Sequence, residues 1–164
     1  MSQVVEPLPK EAAAIDAGWK PLTVAALGAD LPRLRTDPNA APQLYVKDDF
    51  DGDKRPDTAI LMGNQALGRY AVIIQMASGA RYRVREGPLN KAAYIGVQWV
   101  SPGDHVANCS YFNADVNADI RCGQVYAEEV NFPRPAVNVY TIGAFDSTNY
   151  YVVDGKLRRI VIDK

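Results

Sequence analysis

The chain closes with "NYYVVDGKLRRIVIDK", in which Asp154-Gly155 separates two runs of alternating apolar residues. Both central positions of the two-residue turn that matches strand twist need positive φ, and Asp-Gly supplies them, so this is a hairpin. The same period of two runs back to Gln43. "QLYVK" and "DTAILMG" read as strands on either side of an acidic stretch, and "RYAVIIQMA" and "ARYRVRE" flank Ser78-Gly79, a second tight turn. In "ARYRVRE" the alternation puts Tyr82 and Val84 on one face and Arg81, Arg83 and Arg85 on the other, a half-buried strand with a basic outer face. "AYIGVQWV" reads as a strand ended by "SPGD", with Trp99 assigned to the core, and "GQVYAEEV" and "AVNVYTIGAF" read as two more strands. The expected fold is mainly β (β-rich α+β), a single domain of antiparallel sheets and hairpins over residues 43–164.

Residues 1–42 differ. They hold Pro7, Pro9, Pro21, Pro32, Pro38 and Pro42, with one helix-friendly patch, "PKEAAAIDAG", that has Pro9 at its start and Gly18 just past its end. This segment is expected to be an N-terminal extension with one short helix, packed on the β core. At 164 residues and 48% hydrophobic content the chain can bury a core without a metal or disulfide being obligatory. Its formal charge of -1 creates no field for nucleic acid or an anionic membrane. No run approaches the roughly 20 apolar residues that span a bilayer. The start, "MSQVVEPLPK", lacks the basic-then-apolar order of a signal peptide, as does a chain whose signal or lipoprotein anchor has been removed.

The densest concentration of charge is "DDFDGDKRPD", residues 48–57. Asp49, Asp51, Asp53 and Asp57 follow the one, three, five, nine spacing by which a tight loop turns alternate carboxylates inward. Calcium takes six to eight oxygens at about 2.3–2.6 Å, so these aspartates, the backbone carbonyl of Arg55 and water would fill its shell. Without a cation four like charges would be pressed together. The alternative is an exposed turn that uses Asp and Gly for backbone reasons alone.

The stretch "DFDGDKRPDTAILM" resembles the calcium-loop segments of FG-GAP and VCBS-type repeats, Asp-x-Asp-Gly-Asp-Gly-x-x-Asp leading into a strand. It matches at Asp49, Asp51, Gly52, Asp53, Pro56 and Asp57 and departs at Lys54, where the family has Gly in a left-handed backbone. The order of acidic loop, strand pair, Cys pair and Tyr-Tyr-x-x-Asp-Gly-Lys hairpin is similar to that of single-copy bacterial envelope proteins. The resemblance implies a partly propeller-like arrangement, a bound Ca2+ and a periplasmic or outer-membrane-attached location, with the cytoplasm left open. It also implies a protein partner, such as a secreted toxin or a lytic enzyme that an immunity protein would block. No second acidic loop recurs at a fixed period, which argues against a full propeller.

Two cysteines, Cys109 and Cys122, bracket a polar segment with no Cys-x-x-Cys pattern, which suits a loop-closing disulfide better than zinc; two buried free thiols are the alternative. Between them Asp115, Asn117 and Asp119 repeat the odd spacing without the glycine or a later acid, and read as an exposed partner-contact loop. The single histidine, His105, is placed in a "PGDH" turn. There is no G-x-G-x-x-G, Walker loop, G-x-S-x-G elbow or H-E-x-x-H. The leading expectation is thus a non-enzymatic envelope protein that binds another protein; the rival is a metal-dependent hydrolase of a cell-envelope polymer.

Overall fold

The computed structural model describes residues 3–8, 18–27, 44–106, 129–142 and 147–162, with backbone alone for residues 105, 106, 129, 130, 161 and 162. The first strands in chain order are β1 (Gln3–Val4), β2 (Lys20–Pro21), β3 (Tyr45–Asp48), β4 (Asp57–Asn64), β5 (Arg69–Gln75) and β6 (Arg81–Pro88). A 3-10 helix, Leu89–Tyr94, leads to β7 (Ile95–Val100), β8 (Gly103–Val106), β9 (Glu129–Phe132), β10 (Ala136–Thr141), β11 (Ser147–Val153) and β12 (Lys156–Ile162). The N-terminal helix expected over 9–17 lies outside the described residues. Among those described, no helix is long and apolar enough to cross a membrane.

β3 to β6 form an up-and-down antiparallel sheet. β3 pairs with the first half of β4 and β2 with its second half. The other sheet has the order β1-β12-β11-β10-β7. The two share one core, to which Val46, Phe50, Leu61 and Ile74 contribute from the first sheet and its loop, and Val97, Val139, Tyr150 and Leu157 from the second. Leu61 and Ile74 are wholly buried, each worth about 1.5–3 kcal/mol of removal from water. Between the sheets' ends the N-terminal strand acts as a strap. Val5 N–H donates to Leu157 O at 2.8 Å on one sheet, and Leu8 N–H to Arg81 O at 2.7 Å on the other.

Both tight turns form as their residues require. Asp154 and Gly155 have φ of 52° and 69°. At Met76–Ala80, Gly79 has φ 99° and its N–H reaches Met76 O at 2.9 Å.

The arginine row of β6 is not a single face. The register skips Val84, Val72 facing Arg85 while Ile73 faces Arg83, so the strand is bulged there and its alternation is reset. Arg85 turns inward and its Nη2 donates to Thr141 Oγ1 of the other sheet at 2.6 Å. The freed Val84 carbonyl accepts from the Tyr150 hydroxyl at 2.8 Å. Periodicity alone places Arg85 outward because a bulge changes the count without changing the composition.

The pair β7–β10 is continued, after a kink at Ser101-Pro102 and at Pro133-Arg134-Pro135, by the β8–β9 ribbon. His105 therefore lies in a strand, opposite Val130, rather than in a turn. Phe132 of β9 is buried against the back of the second sheet, with its ring 4.9 Å from that of Tyr151. That back face also buries polar groups: Asn138 Nδ2 donates to Ser147 Oγ at 2.7 Å and Asn149 Oδ1 at 2.8 Å. Trp99 is not core; it is 43% exposed at the end of β7.

Candidate metal centre

The loop between β3 and β4 is built by its own aspartates before any distant residue touches it. Asp49 accepts Gly52 N–H on Oδ1 at 2.6 Å and Lys54 N–H on Oδ2 at 2.9 Å. Asp51 Oδ1 accepts Asp53 N–H at 3.0 Å, and Asp53 Oδ1 accepts Arg55 N–H at 2.8 Å. Such side-chain-to-backbone bonds substitute for ladder bonds and coil the chain. The coil passes through two left-handed positions, Gly52 at φ 84° and Lys54 at φ 66°. Lys54 thus takes the backbone shape usually left to glycine, at a cost of about 1–2 kcal/mol.

Tertiary contacts then fix the coil. Phe50, 2% exposed, plugs the core. Asp57, fully buried at the start of β4, accepts Phe50 N–H on Oδ2 and Ala77 N–H on Oδ1, both at 2.8 Å. One carboxylate therefore joins the loop, β4 and the β5–β6 turn. Burial pushes the Asp57 carboxyl above its ordinary value, the two amides pull it down, and the charge on Asp51 adds to the rise. Asp48 Oδ2 accepts the Trp99 indole N–H at 2.8 Å, and the Arg134 guanidinium lies where a Cβ on Gly52 would stand.

Of the four aspartates read as ligands, Asp49, Asp51 and Asp57 each bring a carboxylate oxygen within 4.8 Å of the others. Asp53 is turned away. Its Oδ2 receives Arg55 Nε at 2.8 Å and Nη2 at 2.6 Å, and this fork holds the exposed Asp53 carboxyl below its ordinary value. Cys109, Cys122, Asp115, Asn117 and Asp119 lie outside the described residues.

Three carboxylates so placed can hold a metal ion. Two oxygens on one calcium ion stand at most about 4.6–5.2 Å apart, twice its bond length, so oxygens within 4.8 Å of one another are close enough for a single ion to reach. Paired charges at this spacing repel by about 3 kcal/mol at an effective dielectric of 20. The backbone amides offset part of that cost, and a divalent cation would offset the rest. Asp48, Trp99 and Arg134 also meet at this loop. Asp48 could have been suspected from the doubled Asp48-Asp49, whereas nothing in "NFPRPA" announces that Arg134 meets a loop about eighty residues earlier. Comparison with protein-family models, curated proteins and solved structures found no match to this chain.

Proposed function

We propose that residues 48–57 are a structural calcium clip in a non-enzymatic envelope protein that works by binding another protein, as an immunity or inhibitor protein binds an antibacterial effector. The observation that carries the calcium reading is the convergence of Asp49, Asp51 and Asp57 within 4.8 Å, in a loop where Lys54 takes a left-handed backbone, φ 66°. Three carboxylates and a rim open to water suit the weak class of extracellular calcium modules, with dissociation constants of about 10⁻⁴–10⁻³ M. The structural role is supported by how the carboxylates are spent. Asp49 and Asp57 each engage both oxygens with backbone N–H groups, whereas a general acid must present a protonated oxygen to its substrate.

The test is a thermal melt of the protein with calcium and with chelator. Calcium at about 100 times its dissociation constant should stabilise by roughly 2.7 kcal/mol. Superimposable curves would sink the clip. The partner reading is tested by capture of purified candidate effectors and lytic enzymes on the immobilised protein, and fails if none binds at micromolar concentration. A hydrolase would instead lose turnover on Asp51→Asn while keeping its melting temperature.

A further inference from the structure

The acidic loop touches the rest of the molecule on two sides. Asp57 and Phe50 hold it to β4, the β5–β6 turn and the core. On the other side stand two contacts that the clip itself does not require, both from residues at the kink where β7 and β10 give way to the β8–β9 ribbon. Trp99, two residues before Ser101, gives its indole N–H to Asp48. Arg134, between Pro133 and Pro135 on the returning strand, lays its guanidinium against Gly52, so closely that a Cβ there would displace it. Gly52 is therefore needed twice, for its φ of 84° and for the space above it.

From this geometry we infer that the loop is a brace for the ribbon: Arg134 and Trp99 transmit the state of the acidic loop to the base of β8–β9. The ribbon is also held by Phe132, which packs with Ala136, Tyr151 and Ile160 on the back of the second sheet. Proline on both sides of Arg134 limits how far the kink can flex independently of the guanidinium. Ordering the loop consequently orders the base of the ribbon. The cation-dependent part of this inference rests on the clip proposed above; the mechanical link does not.

Hydrogen exchange followed by mass spectrometry separates the two. In chelator, Arg134→Ala should speed exchange of the Gly103–Val106 and Glu129–Phe132 amides about tenfold while β4 and β5 keep their protection. Trp99→Phe should act in the same direction more weakly. Equal ribbon exchange in wild type and Arg134→Ala overturns the link. With calcium chloride as the probe and uptake measured by calorimetry, the wild-type ribbon should slow, and the Arg134→Ala ribbon should not, although both proteins take up the ion. Uptake with no slowing in wild type overturns the transmission and leaves the clip intact. Absence of uptake removes the clip and the regulation together, and the chelator arm still decides whether the link exists.

Discussion

The acidic loop and the Asp154-Gly155 turn use the same local chemistry to opposite ends. Each joins antiparallel strands, and each contains one non-glycine residue in the left-handed region, Lys54 in the first and Asp154 in the second. Around Gly155 nothing lies within 4 Å of an added Cβ, so at that position the glycine answers to backbone geometry and not to a neighbour. The acidic loop is instead tied to the core through Phe50, to the β5–β6 turn through Asp57, and to the ribbon through Trp99 and Arg134. Left-handed backbone is thus a local device, and what it is used for depends on what the surrounding sheets bring to it.

The largest effect that would sharpen this contrast is expected from Phe50→Ala, which should cost about 3–5 kcal/mol by leaving a cavity under the loop. Chemical denaturation measures it, and a loss below 1 kcal/mol would mean that the loop is not anchored in the core. Next comes Asp57→Ala. It strands two amides that the carboxylate now satisfies and should cost about 2–4 kcal/mol in chelator, and in calcium it should also forfeit the calcium-dependent rise, since Asp57 is one of the three converging carboxylates. Asp51→Asn should leave the chelator melting curve in place or raise it, by removing one of the repelling charges, and abolish the calcium-dependent rise, which is worth roughly 2.7 kcal/mol at 100-fold excess over the dissociation constant. An unchanged calcium rise would remove Asp51 from the site.

At the other turn, Gly155→Ala should cost about 1 kcal/mol, for backbone reasons alone, and leave the calcium response as it is. A changed response would show that the two turns are not independent. The smallest shift expected is from Lys54→Gly. Release of left-handed strain, partly cancelled by glycine's entropy, should raise stability by about 0.5 kcal/mol, or about 1–2 °C in Tm. A destabilised Lys54→Gly protein would mean that the lysine side chain contributes more than its backbone costs.

The strands were legible because their signals are local. "DTAILMG", "RYAVIIQMA" and "ARYRVRE" carry the period of two and the turn residues that bound it, and they form β4, β5 and β6. The faces were less legible. Val84 carries no mark of a bulge, since an extra residue is defined only against the partner strand. Trp99 has the size and polarity of a core residue, yet it stands 43% exposed over Asp48, because the end of β7 runs past the core it helps to line.

At the candidate site the spacing of Asp49, Asp51 and Asp57 was readable because a coil of side-chain-to-backbone bonds is a property of the segment itself. The turning of Asp53 onto Arg55 involves a residue two positions away, but the choice between an inward cation and an outward guanidinium depends on geometry that spacing does not contain. The sequence alone determined that this chain is a β protein with hairpins at fixed places and a carboxylate-rich coil, since backbone chirality and alternation act over a few residues. Only the tertiary structure decided that the two sheets share a core, that Arg85 reaches Thr141 of the other sheet, and that Arg134 meets Gly52, because those contacts join residues whose separation along the chain carries no periodic signal.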